Sequence, residues 1–253
     1  MTWLSDFLSV LFNRNTSPID SPTVVLADPE PITFPLSVDV MRECVIACGC
    51  PIGMADVVAT ALTKAFIRYH VVSTLVIAHV LAHCAHESQG FTATHENMNY
   101  SSVARIRAIF GRNRGIVNLT DAEVEKLVNN PEALANIVYA DSNRVTVNRL
   151  GNIEDGDGFK FRAWGWAQLT GRDAITLFAR FLDVSIDDVL SRSDPEINAS
   201  SALWFAMIYK RGFAPAAMMD NLTQTTVIWN GGLNGLEDRQ IRLDNVKRAM
   251  KVK

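Results

Sequence analysis

The sequence lacks both a membrane-spanning apolar run and an excess of either charge. No stretch reaches the roughly 18–20 unbroken apolar residues of a spanning helix, and the first residues do not predict a standard secretory signal. The 24 basic and 27 acidic residues give a net charge of −3. This balance gives no general attraction to nucleic acid, and we expect no nucleic-acid partner. A polyanionic partner would need a local basic patch. Four arginines form one candidate patch, and the alternative interpretation is that they lie on a solvated helix face: Arg105, Arg107, Arg112 and Arg114.

Cysteines are too few and too crowded to form a disulfide framework. Four occur, namely Cys44, Cys48, Cys50 and Cys84. A chain of 253 residues can bury a sufficient core without disulfides, so we expect reduced, mostly buried thiols. The spacing C-x3-C-x-C is also a weak signal for a zinc site.

Three histidines share a helical face within residues 79–86, but H-E-x-x-H and its inverse are absent. We therefore predict no metal and no cofactor, with a metal-dependent hydrolase as an alternative.

Prolines are concentrated near the N-terminus, where five of the nine fall between Pro18 and Pro35. Because proline fixes φ and removes a donor, we predict a proline-rich linker over residues 14–36. Before it, apolar residues at helical spacing predict a short amphipathic helix in residues 1–13. Two interpretations of its apolar face (residues 2–13) stay open. The helix either folds back onto the main domain, residues 37–253, or docks on a membrane or a virion protein.

Helical patterns dominate from residue 37 onward. Apolar residues recur every three to four positions over 38–49 and 55–69, and residues 72–87 are apolar nearly all round, which predicts a central buried helix. Ser101 or Ser102 can cap a helix that runs through Ile109. Thr120 with Glu123 forms a predicted capping box, and Pro131 opens the next helix. We predict further helices over 173–182, 185–191, 195–210, 223–229 and 236–250.

Strand-like alternation is scarce. The segment 151–166 combines a glycine-rich turn with an aromatic run, and it is the one candidate for a small hairpin. We therefore predict an all-α, mainly helical fold with at most a small β-hairpin.

Two glutamates nine positions apart stand in different surroundings. Glu87 closes the apolar helix, where loss of hydration favours the protonated form, although pairing with an arginine is an alternative. Glu96 lies among polar residues that can hydrate it and keep it ionised: His95, Asn97 and Asn99. Hydrolysis of a glycosidic bond needs one carboxyl group that gives a proton and one that takes a proton from water. The pair therefore predicts a glycoside hydrolase.

Two later motifs offer sugar-binding chemistry. AWGWAQLTGR (163–172) combines two tryptophans with an amide and a hydroxyl, and WNGGLNG (229–235) combines a tryptophan with two amides and close-approach glycines. Aromatic faces stack on sugar rings, whereas amides and hydroxyls bind sugar hydroxyls or a water molecule. Each motif alone can be a tight turn over a core tryptophan. With the two glutamates they predict a carbohydrate cleft.

Five blocks follow one another along the chain: AHESQGF (85–91), ENMNYS (96–101), GDGFKF (156–161), QLTGR (168–172) and NGGLNG (230–235), the last followed by Asp238-Arg239. The blocks appear in the order found in glycoside hydrolase family 19, so the chain resembles this family, most closely its phage endolysin branch. The resemblance covers roughly residues 80–240 and implies a lysozyme-like, two-lobed catalytic domain over residues 37–253. It also implies a cleft between the lobes and an inverting mechanism without a covalent intermediate.

The resemblance also assigns roles to residues. Glu87 matches the general acid, Glu96 the general base, and Thr170 the residue that positions the attacking water. Gln168 and Asn230 match substrate-binding amides, and Arg239 matches an arginine near the acid. Together with residues of the motifs described above, the predicted substrate-binding residues are Tyr100, Trp164, Trp166, Gln168, Asn230, Asn234 and Arg239. Since Arg239 should lie near the acid, it should lower the pKa of Glu87, and burial would have to oppose it.

The chain departs from the family pattern at Trp164, where an arginine is common, at Ala174, where many relatives have asparagine, and at Asn234, where plant chitinases have glutamate. These departures concern contacts with the glycan more than the hydrolytic residues. The resemblance implies a monomeric peptidoglycan hydrolase, an endolysin, that binds the glycan strand. It would be made in the host cytoplasm and act on the cell wall in the periplasm, with virion association left open. The alternatives are a chitinase acting on N-acetylglucosamine polymers and a non-catalytic glycan-binding or virion structural protein.

Overall fold

The computed structural model describes residues 34–145 and 148–251. The predicted N-terminal helix and the linker up to residue 33 lie outside the described residues. Within them, the secondary structure is helical apart from two isolated antiparallel bridges. The predicted all-α class is confirmed. No helix in this part of the chain is both long enough and apolar enough to cross a bilayer.

Fourteen α-helices follow one another in the described residues. They are α1 (Val38–Ala47), α2 (Ala55–Arg68), α3 (Thr74–Glu87), α4 (Val103–Phe110), α5 (Arg114–Val117), α6 (Asp121–Glu125), α7 (Pro131–Tyr139), α8 (Asp157–Lys160), α9 (Arg172–Leu182), α10 (Ile186–Leu190), α11 (Pro195–Trp204), α12 (Phe213–Met218), α13 (Leu222–Asn230) and α14 (Leu236–Met250). Short 3₁₀ turns cover Ile52–Met54 and Asp141–Asn143, and a π-helical turn, Phe205–Tyr209, continues α11.

Helix α3 lies at the centre of the larger core, as its nearly continuous apolar sequence predicts. It begins at the Ser73 cap, whose hydroxyl accepts a hydrogen bond from the Val76 N–H at 3.4 Å. Every residue from Val76 to Ala85 is buried. Helices α13 and α14 pack against α3, while α2 packs against α1 and α11. Each buried aliphatic side chain stabilises this core by roughly 1.5–3 kcal/mol, so α3 is a rigid support for the residue at its end, Glu87.

A second apolar cluster lies among α4, α5, α6 and α7. Its buried members are Met98, Ile106, Ile116, Val124, Leu127, Leu134, Ala135 and Val138. The predicted boundaries hold here: Ser102 caps α4, the capping box of Thr120 and Glu123 opens α6, and Pro131 starts α7. A second core in this segment fits the expected two-lobed arrangement.

The structure contains three short helices that the sequence did not predict, α5, α8 and α12, and it differs from the prediction at two further points. The hairpin predicted within 151–166 is absent, because residues Asp157–Lys160 form α8 after Gly156, which takes a φ of 85°. The helix predicted over 195–210 is α-helical only to Trp204, and its last turn is π-helical. Such turns widen a helix locally and often occur at functional sites.

The four cysteines are buried free thiols, as the sequence predicts. Burial raises the pKa of Cys44 to about 12 and that of Cys50 to about 11, so these thiols stay protonated at neutral pH.

Candidate active site

Glu87 is the last residue of α3, and a buried arginine holds its carboxylate. Arg239 of α14 is 1% exposed, and its Nη2 donates to Glu87 Oε1. Its Nη1 donates to the Asn234 carbonyl at 2.8 Å. Burial raises the pKa of Glu87, and the opposing attraction of Arg239 and His86 does not cancel this. Glu87 is therefore a carboxyl group inclined to keep its proton, as a general acid requires.

A tight turn ends α3 directly after Glu87. Gln89, Gly90 and Phe91 all take left-handed backbone conformations, with φ values of 52°, 73° and 67°. A Cβ atom on Gly90 would lie 2.2 Å from the Gly49 carbonyl oxygen, so only glycine fits there. The chain therefore leaves the helix abruptly, and Glu87 stays at the rim of the core with its side chain 20% exposed.

Backbone pairing places Glu96 beside the turn that carries Thr170. His95 forms an antiparallel bridge with Trp164, and Trp164 forms a second bridge with Leu169. The Glu96 N–H donates to the Ala163 carbonyl at 2.8 Å. These three short segments therefore lie side by side, although 74 positions separate Glu96 from Thr170.

The surroundings of Glu96 differ from the predicted ones. Its Oε2 accepts a hydrogen bond of 2.7 Å from the Tyr139 hydroxyl at the end of α7. The Asn97 side chain instead accepts from the Asn99 N–H at 2.9 Å. Burial raises the pKa of Glu96, while the hydrogen bond from Tyr139 and the nearby Arg162 oppose the shift. The prediction of a well-hydrated Glu96 is wrong, because the side chain is only partly exposed and burial raises its pKa, as it does for Glu87. The Tyr139 phenol is the donor that favours its ionised form.

Both carboxyl groups line one cleft of about 640 Å³, a volume within the range of about 300–1,000 Å³ typical of ligand sites. Three other predicted site residues line it too: Gln168, Thr170 and Asn230. The Thr170 hydroxyl donates to the Gln168 carbonyl at 3.0 Å, and the Gln168 amide donates to the Gly165 carbonyl at 2.8 Å. Gln168 itself takes a φ of 54°, so a strained turn presents this edge of the cleft.

The two tryptophans of the 163–172 motif do not face the cleft. Trp164 is 0% exposed and Trp166 1% exposed. Their rings contact Phe178 at 6.1 Å and Phe91 at 5.1 Å, between centroids. The predicted stacking of these rings on sugar is therefore wrong. Both side chains instead fill the core beneath the turn that carries Gln168 and Thr170, which was the alternative for this motif.

Three other predicted substrate-binding residues do not line the cleft. Tyr100 packs edge-on against Phe110, with ring centroids 5.4 Å apart. Asn234 is exposed, and its carbonyl accepts from Arg239. Arg239 contacts Glu87 from inside the core, so it acts on the site through that carboxylate.

Several cleft residues gave no signal in the sequence. The cleft is also lined by Tyr139, Arg144, Arg149, Tyr209 and Lys210. Tyr139 lies 43 positions from Glu96, and local patterns cannot report a contact over that distance. The π-helical turn Phe205–Tyr209 stacks its two terminal rings at 5.6 Å between centroids, which gives the cleft an aromatic wall.

The histidine row is engaged in hydrogen bonds. His79 Nε2 lies 3.0 Å from an Asp220 oxygen, and His86 Nδ1 lies 2.6 Å from an Asp238 oxygen. His83 Nδ1 lies 2.8 Å from the His79 carbonyl oxygen. In the described part of the chain, no three His, Cys, Asp or Glu side chains are grouped so that they could hold a metal ion. This row joins α3 to its neighbours.

Comparison with known proteins identifies a relative of this chain. No family model matches the sequence. A protein of Haemophilus influenzae strain Rd, described as a glycosyl hydrolase family 19 domain-containing protein, is 34% identical over 163 residues, which cover 63% of this chain and 72% of the relative. A match of this identity and coverage supports a glycoside hydrolase that acts on a glycan, and it shows that the chain belongs to glycosyl hydrolase family 19.

Proposed function

We propose that this protein is a peptidoglycan hydrolase of the endolysin type. It cleaves β-1,4 bonds between N-acetylmuramic acid and N-acetylglucosamine in the bacterial cell wall. One observation carries the proposal: Glu87, Glu96 and Thr170 line the same open cleft. Two carboxyl groups and a hydroxyl on one groove are the groups that inverting hydrolysis of a glycan requires.

In the proposed step, Glu87 protonates the bridging oxygen of the glycosidic bond. Glu96 takes a proton from a water molecule that Thr170 holds, and this water attacks the opposite face of the anomeric carbon. The bridging oxygen leaves with the proton from Glu87, and the product has inverted configuration. This geometry calls for about 6.5–9.5 Å between the carboxyl groups when substrate is bound.

The partners of the two carboxyl groups suit these roles. When Glu87 gives up its proton it becomes a carboxylate, and Arg239, already within hydrogen-bond distance, stabilises the new charge. The Tyr139 hydroxyl supports the ionised form of Glu96 before the reaction. Arg239 thus stabilises the carboxylate that Glu87 becomes after it gives up its proton, and Tyr139 stabilises the carboxylate that Glu96 must be before it takes one.

A chitinase is the second candidate, because family membership fits it equally well. The side-chain amides of Gln168 and Asn230 on the cleft suit the N-acetyl groups of either glycan. The substrates differ in the lactyl group and peptide stem of N-acetylmuramic acid.

As an endolysin, the protein would be made in the host cytoplasm, reach the wall in the periplasm and act as a monomer.

The test compares purified wild-type protein with Glu87→Gln and Glu96→Gln on isolated sacculi and on chitin oligomers. We expect new reducing ends at N-acetylmuramic acid from sacculi and a loss of at least about 10²-fold in kcat for each variant. Glu125→Gln is the matched control, because Glu125 is exposed on α6 away from the cleft. It should retain full activity.

The outcomes separate the candidates. Cleavage of chitin oligomers without cleavage of sacculi would make the protein a chitinase. No new reducing ends from either substrate would leave a non-catalytic glycan-binding or virion structural protein. Full lytic activity of Glu87→Gln would remove Glu87 from the role of acid, and activity lost to a chelator would point to a metal-dependent hydrolase. NMR of the newly released reducing end, recorded before mutarotation, gives its anomeric configuration: an α anomer means inversion and a β anomer means retention.

A further inference from the structure

A basic groove adjoins the cleft. It has a volume of about 200 Å³, and its basic lining residues are Arg112, Arg114 and Arg144. Arg144 and Asn148 line both the cleft and this groove, so the two are continuous. At this volume the groove is too small for a separate ligand site, but it can hold a substituent of a polymer that lies in the cleft.

The loop that carries two of these arginines is held firmly. The Asn113 side chain donates to the Val138 carbonyl at 3.0 Å and accepts from the Gly115 N–H at 2.8 Å. The Asn143 side chain donates to the Ile137 carbonyl at 2.9 Å. The bonds to the Val138 and Ile137 carbonyls tie the groove to α7, the helix whose last residue, Tyr139, contacts Glu96. Helix α7 therefore supports both the groove and Glu96.

In the part of the chain that the structure describes, the fold engages the guanidinium group of Arg144 but not those of Arg112 and Arg114. Arg112 and Arg114 are exposed, and neither has an ion pair with any part of the chain that the structure describes. Arg107, by contrast, pairs with Asp121 at 3.0 Å and donates to the Ile116 carbonyl at 2.8 Å. Arg144 is oriented by the bond from its Nε to the Asn148 carbonyl, 2.6 Å long. These cations are free to bind an anion.

We propose that this groove binds the carboxylates of the peptide stem that peptidoglycan carries on N-acetylmuramic acid. The inference rests on the proposed peptidoglycan hydrolysis. A chitin chain is uncharged, so three arginines beside its cleft would have no ion pair to form with it and could offer it only hydrogen bonds. A peptide stem carries carboxylates a short distance from the glycan, and arginine binds carboxylates through two parallel hydrogen bonds. The groove thus selects a glycan with acidic peptides.

The test uses the double variant Arg112→Gln/Arg114→Gln and three substrates. These are glycan strands with intact stems, the same strands with stem carboxyl groups converted to neutral amides, and strands from which an amidase has removed the stems. In the last substrate, the lactyl carboxyl groups that the amidase exposes are also converted to neutral amides. The matched control is Arg180→Gln/Arg248→Gln, which removes the same charge from exposed arginines elsewhere. Thermal unfolding of both double variants checks that the fold is intact.

We expect a roughly fivefold to tenfold lower kcat/KM for the groove variant on strands with intact stems, through KM. This size suits exposed arginine–carboxylate contacts. On amidated or stripped strands the groove variant should equal the wild type, and the control should equal it throughout. The wild-type preference for intact stems should also shrink from 0.05 to about 0.5 M salt, because salt screens exposed charges.

Three results would overturn the inference. An equal loss on stripped strands would mean that the arginines act on the glycan or the fold. No loss on intact strands would leave the groove as a solvated surface while the proposed hydrolase stands. No cleavage of any strand by the wild type would remove the proposed function first, and the inference with it.

Discussion

Replacing Tyr139 by phenylalanine removes one hydroxyl group and should change how activity depends on pH. Tyr139 donates to Glu96 at 2.7 Å, and this hydrogen bond favours the ionised carboxylate. Glu96 must be ionised to accept a proton, so activity falls as the pH drops through its pKa. Without the hydroxyl the pKa of Glu96 rises further, and the acid limb of the profile moves to higher pH.

The size of this shift follows from the strength of the bond. A hydrogen bond to a charged group contributes about 1.5–3 kcal/mol, and about 1.36 kcal/mol corresponds to one pKa unit. Glu96 keeps some solvent contact, so water can partly replace the phenol, and we take the lower end. The acid limb should move up by about one unit. On that limb the rate should fall about tenfold, while the rate on the alkaline side should change little.

The assay is the pH profile of kcat/KM on soluble glycan strands for wild type, Tyr139→Phe and Tyr69→Phe. Tyr69 is the matched control, because its hydroxyl also bonds inside the protein, to the Ser200 carbonyl at 3.1 Å, but away from the cleft. Its loss should lower stability without moving either limb. An unchanged acid limb in Tyr139→Phe, or an equal shift in Tyr69→Phe, would refute the coupling of Tyr139 to Glu96.

Three further predictions concern the site and its support. Thr170→Ala should lower kcat about tenfold with little change in KM, as other groups can hold water; unchanged initial rates would exclude its role in the mechanism. Arg239→Gln should cost about 3 kcal/mol in urea unfolding, because it removes the hydrogen bonds that the buried guanidinium donates to Glu87 and to the Asn234 carbonyl. It should also move the alkaline limb to higher pH, since Arg239 lowers the pKa of Glu87. An alkaline limb that stays in place would contradict this electrostatic role. Gly90→Ala should destabilise by about 2 kcal/mol or more, because of its positive φ and the contact with Gly49; a Tm within one degree of the wild type would refute that reason.

Local sequence signals predicted most of the helices. The starts of α4, α6 and α7 follow from caps and a helix-opening proline that act within four residues, and α3 follows from its apolar run, so no distant contact was needed to predict them. Very short helices such as α5 and α8 escaped prediction, because four residues are too few to show a period. The segment 151–166, the candidate for at most a small hairpin, contains α8 instead, because its alternation was short and its glycines fit a helix start equally well.

The sequence by itself determined the helical class, the family resemblance and the short segments that carry Glu87, Glu96, Gln168, Thr170 and Asn230. Only the tertiary structure decided which side chains face the cleft. It turned Trp164 and Trp166 into the core, placed the Tyr139 hydroxyl against Glu96, and joined the arginine groove to the cleft. The physical reason is that residue type and spacing fix local backbone geometry, whereas burial, pKa and charge pairing depend on elements brought together from distant parts of the chain.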